Sequence, residues 1–64
     1  MINHITKRTH RNGNVTYDAY YDSGRKVHYD HNSNLPLTVV KVLTAGTCYE
    51  TVYTEYGKVE RFTI

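Results

Sequence analysis

A chain of 64 residues with one cysteine and a formal net charge of +2 at pH 7 holds one small domain at most. The single cysteine, Cys48, excludes an intrachain disulfide, and we expect it to be a small buried side chain in a cytoplasmic protein. The charge is too small to indicate a nucleic-acid partner. The longest apolar run, at Val39 and Val40, is broken by Lys41, which excludes a membrane-spanning helix.

Residue types and turn signals predict an all-β fold. Seven tyrosines and frequent valines and threonines favour strands. Turn-forming residues recur about every eight to twelve positions, a spacing typical of a small barrel or sandwich. No segment combines a helix-capping residue with apolar residues three or four apart, so we predict no helix. The expected fold is a small meander of about six short antiparallel strands that forms a compact barrel or sandwich.

In chain order, the first predicted element is a hairpin that turns at Asn12-Gly13. Both residues tolerate the positive φ angles of a two-residue type I′ turn, which would pair His10 with Val15. In this register strand one is an edge strand whose long side chains lie across tyrosine rings with their charged ends in water. A longer turn is the alternative, and it would place Ile2 and Ile5 in the core.

The second predicted turn, Asp22 to Gly24, is a three-residue loop closed by glycine in the left-handed region. It pairs Ala19 with Val27, and the two turns together give one consistent apolar face to a three-stranded meander over residues 1–31. The opposite face of this meander carries a charged row of three residues: Lys7, Asp18 and His28.

The second half of the chain is predicted to add a similar meander. Residues 32–36 form a linker, and residues 37–64 form three further strands. The first of these, Leu37 to Leu43, is apolar on both faces, which is typical of a central strand. The turn that follows, Thr44 to Gly46, is compatible with either a two-residue or a three-residue loop.

The two ends of the predicted sheet are its candidate edges. Strand one is one of them, and the final strand, Val59 to Ile64, is the other. Few residues of the final strand are charged, so its unpaired backbone groups could accept a strand from another chain. A homo-oligomer joined through such edge strands is therefore one expected arrangement.

The sequence carries no motif typical of an enzyme or a metal site. Its four histidines do not form the closely spaced ligand pairs of zinc sites, and His28 and His31 lie on opposite faces of the predicted strand. The sequence contains neither a nucleophile elbow nor a carboxylate pair with a reason to shift its pKa. We therefore expect a non-enzymatic binding protein without a cofactor or metal.

Exposed tyrosine and basic side chains are the candidate binding residues. Tyrosine and arginine are enriched in protein interfaces, and the same side chains can stack on bases and pair with phosphates. The candidates are Arg8, Arg11, Tyr17, Tyr20, Arg25, Lys26 and Tyr56.

Three kinds of partner fit these residues. The small net charge favours a protein partner over nucleic acid. The first alternative is a small-barrel nucleic-acid binder, which would use the basic N-terminal hairpin with Tyr17 and Tyr20. The second alternative is a homo-oligomer that binds a small anionic ligand at the subunit interface, with Arg8 and Arg25 as clamps.

In its short length, its richness in tyrosine and threonine and its lack of enzyme motifs, the sequence resembles accessory proteins of bacteriophages. Such proteins commonly act by occluding a host enzyme or a defence component. The resemblance implies a host protein as the partner, an inhibitory or modulating effect on that partner, and the host cytoplasm as the place of action.

Overall fold

Five antiparallel strands and one helix make up the computed structural model, which describes residues 1–64. In chain order the elements are β1 (Ile2–His10), β2 (Val15–Tyr21), β3 (Lys26–Tyr29), α1 (Leu37–Ala45), β4 (Thr47–Thr54) and β5 (Gly57–Thr63). The strands form a single sheet in the order β3-β2-β1-β5-β4, and every neighbouring pair is antiparallel.

The prediction of a small all-β domain built from short antiparallel strands is confirmed. The sheet does not close into a barrel, and it has five strands instead of about six. A sheet with one apolar face must bury that face against another layer. Here α1 supplies that layer, so the domain is an open sheet with one face covered by a helix.

The predicted strand over residues 37–43 is wrong, as is the prediction that the chain has no helix. This segment lies in α1, where Val39 and Val42 are buried because residues three apart share one face of a helix. Pro36 precedes the first helical residue, and the backbone N–H of Gly46 closes the helix by donating to the carbonyl of Val42. With nine residues, α1 is too short to span a membrane, and the structure has no other helix.

The core lies between α1 and the middle of the sheet. Its buried members are Ile5, Ala19, Val39 and Val42, and Ile5 and Val39 are completely buried. Seven partly buried side chains pack around them: Ile2, Tyr17, Tyr21, Tyr29, Leu35, Leu43 and Phe62. Because so few side chains are fully buried, each one contributes a large share of the stability of the domain.

The turn of the first hairpin is one residue longer than the predicted type I′ turn. The N–H of Gly13 donates to the carbonyl of His10 at 2.9 Å, and the N–H of His10 donates to the carbonyl of Asn14 at 2.7 Å. Gly13 has a φ of 94°, which suits a three-residue loop that ends in the left-handed region. Thr9, and not His10, therefore pairs with Val15.

This shift of one residue exchanges the two faces of β1. Ile5 now lies opposite Ala19 in the core, whereas Arg8 and His10 face away from α1. The alternative with a longer turn and Ile5 in the core is thus confirmed. Lys7 moves to the face that α1 covers, so the predicted charged row keeps only Asp18 and His28.

The second hairpin has the predicted turn and register. The N–H of Gly24 donates to the carbonyl of Tyr21 at 2.9 Å, and Gly24 has a φ of 90°. The N–H of Tyr21 donates to the carbonyl of Arg25 at 2.8 Å, and Ala19 pairs with Val27 as predicted. Local turn chemistry and the apolar pattern agree here, which leaves only one register.

The predicted edge strands are both wrong. β1 pairs with β2 and β5, and β5 pairs with β1 and β4, so both are internal strands. The two edges of the sheet are β3 and β4. The final strand therefore has no free backbone edge to offer another chain, and any added strand must pair with β3 or β4.

Candidate functional site

The sheet face opposite α1, called here the open face, collects most of the ionisable side chains of the sheet. Because side chains alternate along a strand, the pairing registers fix which residues lie on this face. From β3 to β4 they include Lys26, His28, Tyr20, Asp18, Thr16, His4, Arg8, His10, Arg61 and Glu50.

Tyr20 lies between a second ring and a cation on the open face. The rings of His4 and Tyr20 stack with centroids 4.5 Å apart and planes inclined by 11°. On the other side, from β3, the Nζ atom of Lys26 lies 5.9 Å from the centre of the Tyr20 ring, a cation–π contact. The Nδ1–H of His4 can donate to Oδ1 of Asn3 at 2.8 Å, which holds the stack in place.

His28 lies between two carboxylates on the same face. Its Nδ1 is 2.8 Å from Oδ1 of Asp18, and its Nε2 is 3.3 Å from Oδ1 of Asp30. Ionised carboxylates only accept hydrogen bonds, so both bonds form only when both ring nitrogens carry protons. The hydrogen bond to Asp18 is the main reason that the pKa of His28 is raised above 6.5, with a smaller contribution from Asp30 and some opposition from lost hydration.

Replacing Asp18 with asparagine is expected to lower the pKa of His28, and Asp30→Asn is expected to lower it by less. Protonated His28 stabilises the fold because its folded-state pKa lies above its unfolded value. That contribution is fully present below the unfolded pKa, about 6.5, and is lost as the pH rises through the folded pKa. Nuclear magnetic resonance titration of the His28 ring measures both effects, and a pKa at or below the unfolded value would contradict them.

A polar depression of about 380 Å³ lies on the open face beside this ion pair. Its lining contains no hydrophobic residue and consists of Arg8, His10, Thr16, Asp18, Lys26 and His28. His10 Nε2 is 2.9 Å from the hydroxyl oxygen of Thr16, which fixes the imidazole at one side of the depression. The ion pairs of the chain involve neither Arg8 nor Lys26, so both cations are available to a ligand.

The second notable surface is β4, an edge strand in which all eight residues are exposed. Tyr49 is 52% exposed, Val52 42% and Tyr53 77%, which is unusual for large apolar side chains on one strand. Cys48 is also exposed, so the expectation that it is buried is wrong. α1 packs mainly against β1 and β5.

Three of the seven predicted binding residues come together on the open face: Arg8, Tyr20 and Lys26. Arg11 and Tyr56 meet at one end of the sheet, where the N–H of Arg11 donates to the carbonyl of Tyr56 at 2.8 Å. Tyr56 also borders a second polar depression, of about 300 Å³, together with Arg8 and His10.

The other two predicted binding residues lie apart from this group. Tyr17 packs against the core on the covered face, so it cannot form one stacking surface with Tyr20. Arg25 follows the turn at the opposite end of β2, away from the end near which Arg8 lies. The structure therefore does not bring Arg8 and Arg25 together as a clamp within one chain.

Sequence reasoning missed His10, Thr16, Asp18 and His28 as members of one polar site. Part of this site was recognisable in the sequence. If Ile5 is buried, the alternation of side chains along the strand places Arg8 and His10 together on the opposite face. Neither here nor elsewhere in the structure do three histidine, cysteine, aspartate or glutamate side chains lie close enough together to hold a metal ion.

The fold and these two surfaces define the class: a small antiparallel sheet domain with one face covered by a helix and the other open to solvent. No protein-family model, curated protein or solved structure matches the chain.

Proposed function

We propose that this protein is a non-enzymatic binding module that holds a partner protein on β4 by strand addition. The observation that carries the proposal is an eight-residue edge strand that is exposed along its whole length. Its outer backbone edge has no partner strand, so its free N–H and C=O groups can pair with an extended segment of another protein.

The contrast between the two edges of the sheet supports β4 as the binding edge. Natural edge strands are usually short or carry charged side chains, which discourages pairing with other chains. β3 fits that pattern, because it has four residues and exposes Lys26 and His28. β4 does not, because its only charged residue, Glu50, is paired with Arg61 of β5.

The side chains of β4 offer contacts on both faces of an added strand. Val52 lies on the open face, where it pairs with Val59, and Tyr53 lies on the covered face, where it pairs with Lys58. Tyrosine is common at the centres of protein interfaces because it buries a large ring at low entropic cost. A partner strand would therefore gain apolar contacts on both faces in addition to its backbone hydrogen bonds.

The partner we propose is a host enzyme or defence component, and the place of action is the host cytoplasm. The resemblance to accessory proteins of bacteriophages in length, composition and lack of enzyme motifs supports this choice. A small rigid domain that adds a strand to a host protein would modulate it by occupying its surface, without any chemistry of its own.

Tyr53→Lys is expected to weaken binding to the partner protein at least tenfold, since loss of a central interface tyrosine costs about 2 kcal/mol or more. Affinity capture from host extract with the wild-type chain identifies the partner, and calorimetry with the purified pair measures the change. Tyr53 is 77% exposed, so the substitution leaves the core intact.

Leu37→Lys is the matched control, because Leu37 is an apolar residue of similar exposure (82%) and is the first residue of α1, outside β4. It is expected to leave partner binding within twofold of the wild type. Equal binding by the wild-type chain and Tyr53→Lys would overturn the proposal. A dimer of this chain that Tyr53→Lys dissociates would also overturn it, since the surface would then belong to a second copy.

A further inference from the structure

We propose that the polar depression on the open face is a binding site for a phosphate-bearing small molecule, with Arg8 and Lys26 as its principal ligand-binding residues. This site is separate from β4 and does not depend on the partner protein. It differs from the clamp expected between subunits, because the two cations come from one chain and lie on either side of β2.

The charges around the depression favour an anion. Arg8 and Lys26 have no carboxylate partner, whereas the acidic groups of this face are already engaged. Asp18 and Asp30 both bind His28, and Glu50 is paired in the same way with Arg61 of the neighbouring strand. An incoming anion therefore meets two cations that no carboxylate neutralises, while the nearby carboxylates are engaged with His28 and Arg61.

The donors around the depression match a phosphate group. The guanidinium of Arg8 can make two parallel hydrogen bonds to phosphate oxygens, while the ammonium of Lys26 acts as a compact point charge. The Thr16 hydroxyl of β2 and the His10 imidazole of β1, whose Oγ1 and Nε2 atoms lie 2.9 Å apart, add further polar groups. The volume of about 380 Å³ suits a small phosphorylated molecule.

Tyr20 is better placed to hold Lys26 than to stack on a base. Its ring stacks on His4 and also contacts the Lys26 ammonium, which comes from the neighbouring strand β3. A nucleobase would have to displace one of these groups to stack on the ring. The arrangement thus favours recognition of the phosphate over recognition of a base.

The ion pairs of His28 make the site sensitive to pH. His28 faces Asp18 of β2 and Asp30 after β3, and it shares the depression with Arg8, His10 and Lys26. When His28 loses its proton, one of its two carboxylates loses a hydrogen-bond donor, and the local charge becomes more negative by one unit. Anion affinity should therefore fall as the pH rises through the pKa of His28.

Titration of the wild-type chain with inorganic pyrophosphate, followed by nuclear magnetic resonance, tests the proposal. Pyrophosphate is expected to shift the side-chain signals of Arg8 and Lys26, and Arg8→Gln and Lys26→Gln should each weaken binding about tenfold. Arg25→Gln removes the same charge from an exposed residue outside the depression, and it should change the affinity less than twofold.

His28→Gln separates the pH effect of the site from the titration of pyrophosphate itself. This variant should bind more weakly than the wild type at pH 6, where wild-type His28 is protonated, and the difference should shrink as the pH rises through the pKa of His28. No shift at Arg8 or Lys26 in millimolar pyrophosphate, or equal weakening by Arg25→Gln, would overturn the proposal. Tighter binding of a single-stranded oligonucleotide through the same residues would also overturn it, in favour of a nucleic-acid backbone as the ligand.

Discussion

Gly57→Ala is expected to lower the free energy of unfolding by about 3 kcal/mol, which is most of the stability that a domain of this size holds. Gly57 is the first residue of β5 and has a φ of 138°, a conformation that residues with a Cβ atom rarely adopt. A Cβ atom built there would lie 2.0 Å from the carbonyl oxygen of Thr9. The substitution therefore combines backbone strain with a steric clash.

The clash cannot be relieved by a side-chain rotation, because the atom that it meets belongs to the backbone of β1. Both strands are held on both sides, β1 by β2 and β5, and β5 by β1 and β4. The N–H of Arg11 also donates to the carbonyl of Tyr56, which ties the two strands together next to Gly57. To relieve the clash, β1 and β5 would have to move apart, which would break the hydrogen bonds between them.

Gly24→Ala is the matched control. Gly24 also has a positive φ, 90°, but a Cβ atom there has no neighbour within 4 Å. Only the conformational cost remains, so this variant should lose about 1 kcal/mol. Urea denaturation followed by circular dichroism measures both variants. If Gly24→Ala and Gly57→Ala lowered the free energy of unfolding equally, the close approach of Gly57 to β1 would contribute nothing to the effect of the substitution.

Turn chemistry alone was sufficient to predict one of the two N-terminal hairpins. Asp22 to Gly24 favours one loop length, and the apolar residues on either side support the same register. Asn12-Gly13 is compatible with both a two-residue and a three-residue loop. In that hairpin the choice is made by burial of Ile5, a tertiary contact that local pattern does not contain.

The helix was missed because β propensity and helical spacing conflict within one short segment. Val39, Val40 and Val42 are β-branched and favour strands by residue type. The helical signal is the spacing of Val39 and Val42, framed by Pro36 and Gly46. Packing decides the outcome, since the apolar face of the sheet needs a cover and α1 supplies it through Val39 and Val42.

The candidate sites could be predicted in part. Arg8, Tyr20 and Lys26 were identified from residue type, and all three lie on the open face. His28 was predicted on the same face as Tyr20 and Lys26, but the wrong register of β1 placed both Arg8 and His10 on the other face. β4 is exposed because it lies at the edge of the sheet. The order of the strands along the chain does not specify which strand lies at the edge.

Ile5→Ala is expected to lower the free energy of unfolding by about 3 kcal/mol. Ile5 is completely buried, and it packs with Ala19 of β2 and with Val39 of α1 in the small core. Truncation removes buried methyl groups and leaves a cavity where helix and sheet meet. Ile5→Val, which removes a single methylene, should lose about 1 kcal/mol. Urea denaturation of these variants gives both values.

The same measurement distinguishes the two possible registers of the first hairpin. In the register with a two-residue turn Ile5 would face solvent, and its truncation would change the free energy of unfolding by less than about 0.5 kcal/mol. Ile64→Ala provides that reference value within the same chain, because Ile64 is 80% exposed. A loss at Ile5 as small as the loss at Ile64 would contradict the longer turn. It would also remove Arg8 and His10 from the open face, since a shift of one residue turns every side chain of β1 to the opposite side.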